Sequence, residues 1–277
     1  MRTLSALFQV ERPSVHARFL EVVFLDQPVV FFMAMCLVLA AMEETGIQLR
    51  QRLSATVDES RHNQILAAGN AVSTLLSLVL SFTIAMAVQR YDDRTKLLVD
   101  EANAIGTSSL RAQTLPEPFR RKVLELLREY VDLRFTYPSL GIGPKLDEAV
   151  ARAKKLQSRL WEQGVAVAQQ DPSPINSIFL ESINETIDLC EKRLAALENR
   201  IPPSVWTILV LISMLTCFIV GLGMKRRFWV TTVVWPLMVS IILGLTADLD
   251  SPGSGLIQIK RQSLQRLQQD LAAGGSH

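Results

Sequence analysis

Cysteine is scarce in this chain, with three among 277 residues. Cys36 and Cys217 fall inside apolar runs and Cys190 stands alone in a polar stretch, so no CxxC pair, zinc spacing or disulfide framework can be drawn. Histidine is as thin: His16, His62 and His277 are scattered, and no metal site is expected. An excess of one charge is also missing, because 29 Lys and Arg stand against 27 Asp and Glu. A chain without a basic excess has little to offer nucleic-acid phosphates, so nucleic acid is not an expected partner. There is no P-loop, no GxSxG and no dinucleotide fingerprint. The expectation is therefore no catalytic residue, no cofactor and no enzyme. Residues 1–19 lack a long apolar core followed by a small-residue cleavage site, so they read as an N-terminal segment rather than a removed signal, with the first membrane helix directing insertion.

What is present is segregation. Hydrophobic residues make up 49% of the chain and charged residues 20%, with a mean hydropathy of +0.23. Apolar and charged residues sit in separate blocks, and four blocks approach the roughly 20 residues a helix needs to cross a bilayer. Residues 65–88 and 204–224 contain no ionisable group, and neither does 228–247, which is bounded by Arg227 and Asp248. Residues 20–43 are less clean, with Glu21 and Asp26 placed near the lipid headgroups. Backbone groups in lipid must be satisfied within the segment, and these runs lack the alternation of a barrel, so each is a helix.

Between the second and third spans, residues 89–203 carry 17 basic and 17 acidic residues, the mark of a water-exposed domain. Residues 89–115 hold no proline and one glycine, Gly106, so the second membrane helix should continue out of the bilayer until Pro116 and Pro118. Val123, Leu124, Leu127, Tyr130 and Val131 recur at helical steps over 117–137, and PSLGIGP then breaks the pattern. A further helix is expected over 145–170. Another covers 174–200, with Asp171 or Ser173 as its N-cap and Phe179, Ile183, Ile187, Leu194 and Leu197 on one face. Residues 248–277 form a turn and an amphipathic tail. The fold class is all-α, a four-helix transmembrane unit with an extramembrane helical domain inserted between the second and third spans.

The segment leaving the second span carries Arg90-Tyr91-Asp92, then Glu101-Ala102-Asn103-Ala104-Ile105-Gly106-Thr107, then Leu115-Pro116-Glu117-Pro118. Past the fourth span comes Asp248-Leu249-Asp250-Ser251-Pro252. These elements resemble the bacterial bestrophin-like domain family, which is distantly similar to the bestrophin anion channels; the likeness covers about residues 59–250, and the EANAIGT string is its specific part. The resemblance implies a homo-oligomer, a pentamer by analogy, in a bacterial inner membrane, conducting inorganic ions, with the inserted domain in the cytoplasm. Animal bestrophins carry a run of consecutive carboxylates after the last span, where this chain has Asp248 and Asp250 alone. Calcium takes about six to eight oxygens, so calcium gating is not expected, and capping the end of the fourth helix is the favoured role for these two.

Asn70, Ser73, Thr74, Ser77 and Ser81 fall on one side of the second span. Such a face either lines a pore, where hydroxyl and amide groups replace part of an ion's hydration shell, or packs against another helix. Arg90, Asp92, Asp93, Arg94, Glu101 and Asn103 follow just beyond the span, either as charged rings at a pore mouth or as ion pairs bracing the emerging helix. Gly106 permits close helix approach or acts as a hinge. The absence of ionisable groups within the three clean spans argues against ion-coupled transport. The positive-inside rule is divided: the short Lys225-Arg226-Arg227 loop pulls one way, while the basic residues flanking 89–203 and following the last span outnumber the six of the two hairpin loops. Two functions remain open: a passive channel lined by the second span, or a non-conducting membrane-anchored interaction or sensory protein whose helical domain binds a partner.

Overall fold

The computed structural model describes residues 27–53, 58–137, 143–225, 227, 229–251, 255–259 and 261–273. The N-terminal segment, the opening of the first expected span over 20–26 and most of the PSLGIGP break lie outside the described residues. Within them the chain forms α1 (Pro28–Arg52), α2 (Glu59–Ala112), α3 (Phe119–Thr136), α4 (Pro144–Gln170), α5 (Pro174–Glu198), α6 (Pro203–Gly223), α7 (Trp229–Asp250) and α8 (Gln262–Ala273). Pro28, Pro144, Pro174 and Pro203 each open a helix. Proline's fixed φ suits the first turn, and the N–H it lacks would have had no helical partner there. Ser173 is the cap of α5, its Oγ accepting from Asn176 N, while the Asp171 carbonyl and carboxylate accept from Asn176 Nδ2.

The chain divides into two compact units, one of residues 1–83 and 202–251, the other of 84–201 and 252–277. In the first unit α1 packs along α6 and α7. Gly46 and Gly221 make the α1–α6 contact possible: a Cβ on Gly46 would collide with the Phe218 carbonyl oxygen, and one on Gly221 with the Glu43 carbonyl oxygen. Phe31 meets Trp206 edge to face at 5.4 Å. Four helices, α1, α2, α6 and α7, are long and apolar enough to cross a membrane. Many of their large apolar side chains, such as Leu37, Leu78, Phe82, Leu211 and Trp229, are exposed on the single chain, as a lipid-facing surface requires.

Two boundaries differ from the sequence expectation. The helix that carries the first expected span, 20–43, continues as α1 to Arg52, because no helix breaker intervenes, and Glu43 turns inward. The helix of the fourth span, α7, runs past 247 to Asp250, so Asp248 and Asp250 form its final turn, where both are buried.

The second unit has its own core. Leu98, Ile105, Val123, Leu127, Tyr130, Leu156, Leu160, Phe179 and Ile183 are buried together, joined by Leu264, Leu267 and Leu271 from α8. The apolar side of the tail thus docks on α3, where Leu271 O accepts from Arg128 Nε at 2.9 Å and Asp132 accepts from Gln268.

Candidate functional site

α2 carries both groups of residues that the sequence singles out. Over its apolar length one arc is buried, through Gly69, Leu76, Leu80 and Thr83. At about 100° per residue the polar stripe centres roughly a quarter turn away. Asn70, Thr74, Ser77 and Ser81 are exposed there and Ser73 is half-buried. A third arc, with Leu75, Leu78 and Phe82, is exposed and apolar. The hydroxyl protons of the stripe are used within the helix: Thr74 Oγ1 donates to Asn70 O at 2.9 Å, Ser77 Oγ to Ser73 O at 2.9 Å and Ser81 Oγ to Ser77 O at 2.7 Å. What the stripe presents outward is therefore oxygen lone pairs and an amide, uncharged and tolerable near lipid, yet polar enough to border water.

Beyond the span, the six polar and charged candidates separate. Asp92, Asp93 and Asn103 are exposed and Arg90 is half-buried. Arg90, Asp93, Lys96 and Asp100 border a depression of about 410 Å³ with Ala196 and Asn199 of the α5 end. Arg94 is buried, and its guanidinium donates to the Ala196 and Asn199 carbonyls at 3.1 and 3.2 Å, satisfying the end of α5. Glu101 is wholly internal. Its Oε1 accepts from Arg134 Nε at 2.5 Å, and its Oε2 accepts from Arg134 Nη2 at 2.9 Å and from Arg193 Nη1 at 2.5 Å. Tyr130 OH donates to Oε1 at 3.4 Å and accepts from Gln157 Nε2 at 3.1 Å, while Arg134 lies over the Tyr137 ring at 4.0 Å. Burial alone would push the Glu101 carboxyl up, but the charges and hydrogen bonds of Arg134 and Arg193 hold it below its ordinary value of 4.5. This cluster ties α2 to α3, α4 and α5, so Glu101 and Arg94 do not reach a surface within the subunit. Gly106 also departs from the expectation of close approach: a Cβ there would meet Leu267 Cδ1 at an ordinary 3.5 Å, and α2 runs through it as unbroken helix.

Sequence reasoning passed over Glu43. Its side chain is fully buried in the first unit, and neither carboxyl oxygen has a hydrogen-bond partner among the described residues. The signal was available, because Glu43 is in helical phase with the buried Leu39, Gly46 and Ile47.

Four helices apolar enough to cross a membrane, joined to a second helical unit bound by internal ion pairs, define a multi-pass membrane protein. The bestrophin-like domain model matches residues 35–264, and the chain belongs to that family. No curated protein matches it. Among solved structures it is similar to a bacterial bestrophin homolog from Klebsiella pneumoniae. One point variant of that protein gives a TM-score of 0.68 at 12% identity, covering 89% of this chain and 99% of the other. A second gives 0.68 at 11%, covering 88% and 99%, and the form phased on zinc gives 0.67 at 13% over the same shares. At such identity the likeness is one of fold.

Proposed function

We propose that this chain is one subunit of a homo-oligomeric passive ion channel of the bacterial inner membrane, with α2 lining the pore and the second unit on the cytoplasmic side. The observation that carries this reading is the exposed polar arc of α2 beside an exposed apolar arc. A helix whose flanks differ in this way has one flank suited to lipid and another suited to water or to a second protein surface. One copy cannot enclose a pore with a single narrow polar arc, whereas several copies around an axis would bring their arcs together. Hydroxyl and amide oxygens without fixed charge let an ion shed part of its hydration without trapping it. With α2 lining a pore, the exposed Asp92, Asp93 and Asn103, one to four turns beyond the span on the same helix, would border its mouth, with Arg90 beside them.

The test is the mass of the detergent-purified particle, followed by chloride and sodium flux from liposomes holding the same sample. The reading predicts a discrete oligomer of four or more subunits and a leak abolished by Ser77→Leu with Ser81→Leu. A monomer or dimer that leaves liposomes tight would overturn it, and would turn attention to proteins that bind the helical domain.

A further inference from the structure

Three helix ends meet in the first unit on the side of its two hairpin loops. Gly46 of α1 lies against Phe218 and Leu222 of α6, and Gly223 at the end of α6 lies against the start of α2, where a Cβ would sit 3.2 Å from Leu66 Cδ2 and 3.9 Å from Ile65 Cγ2. One turn past these contacts, each strand of the junction carries a cation or an imidazole: Arg50 on α1, Lys225 after α6 and His62 on the first turns of α2. Lys225 and Arg50 lie within electrostatic reach of His62. His62 is 8% exposed, and among the described residues neither its Nδ1 nor the buried Nη1 of Arg50 has a hydrogen-bond partner.

Among the described residues, the carboxylates at this end do not balance the group. Glu44 is paired with Arg227, and Asp58 accepts from the Arg61 backbone N–H. Glu59, which is exposed, is the other acid that bears on His62. A buried donor without an acceptor is costly, and two cations held beside an imidazole repel its protonated form. Both costs fall if an anion with several oxygens occupies the junction.

We infer that Arg50, His62 and Lys225 form a binding site for a phosphate group at the membrane surface. A tetrahedral phosphate offers oxygens to a guanidinium fork, an ammonium and a ring nitrogen at once, which a spherical halide does not. The group can come from a phospholipid headgroup, which is dense at this depth, or from inorganic phosphate in solution; the site chemistry is the same.

The test uses the full chain in neutral detergent at constant ionic strength. Its melting temperature is followed against dioctanoyl phosphatidylglycerol, against inorganic phosphate and against dioctanoylglycerol, which has the same chains and no phosphate. The proposal predicts a dose-dependent rise with a phosphate-bearing probe and none with dioctanoylglycerol. Arg50→Gln with Lys225→Gln should require at least about tenfold more probe, since each lost charged hydrogen bond weakens binding by roughly that factor. The exposed Arg52→Gln, with the same change of charge as either single substitution, should not. Stabilisation by the lipid alone assigns a headgroup, and stabilisation by inorganic phosphate as well assigns the free ion too. No rise with either probe, or equal weakening by Arg52→Gln, overturns the site. Lys225 is exposed, so Lys225→Gln alone keeps the test open if the double variant does not fold. Ion flux plays no part in the readout, so failure here is distinct from failure of the channel reading.

Discussion

Replacing Glu101 by glutamine keeps the shape of the side chain and removes the charge that two guanidiniums share. Breaking a buried ion pair from one side costs on the order of 3–5 kcal/mol, because the partners stay buried without compensation. Glu101→Gln should therefore lower the melting temperature of the helical domain sharply at neutral pH, as circular dichroism would show. The pH dependence has a definite sign. A carboxyl held below its ordinary 4.5 contributes stability that is complete above that value and is lost as pH falls through the lower folded value. Wild type should lose stability in that acid window, and Glu101→Gln should show a flatter profile through it. A parallel profile would mean that other carboxylates carry the acid response. The sequence marked Glu101 by its motif and left open whether it faced a pore mouth or an ion pair. Its partners stand 33 and 92 positions away, and no local pattern connects residues so distant.

At the scale of elements, the helices were largely legible and the contacts between them were not. Prolines open four helices and end-of-run charges frame three spans, so α3 to α7 lie close to where composition and periodicity put them. The end of α1 lies past the expected bound because no breaker follows Glu43, and the helical phase of Glu43 with Leu39, Gly46 and Ile47 was the available sign that it points inward. The docking of α8 was legible as an amphipathic face, though not its target. The Gly46 and Gly221 pair is likewise invisible as a pair in the sequence. Gly221→Ala should force α1 and α6 apart, with an overpacking cost of about 1–3 kcal/mol or more, because a carbonyl oxygen occupies the space. A fall in monodisperse yield and melting temperature would register it, whereas Gly106→Ala, with ordinary space, should leave both nearly unchanged.

At the scale of the whole molecule, the bestrophin-like domain and the Klebsiella pneumoniae structures establish the fold, and the proposed channel rests on which arc of α2 faces water in the assembly. Cysteine substitution reads that arc directly. Ser77→Cys and Ser81→Cys place thiols on the polar stripe, while Leu78→Cys and Phe82→Cys place them on the exposed apolar arc. The decisive measurement is liposome ion flux before and after a charged, membrane-impermeant thiol reagent, with wild type as the control for Cys36, Cys190 and Cys217. The account predicts block in the two stripe variants and unaltered flux in the two apolar ones. Flux that is unaltered in all four, or blocked equally in all four, would contradict a pore lined by α2.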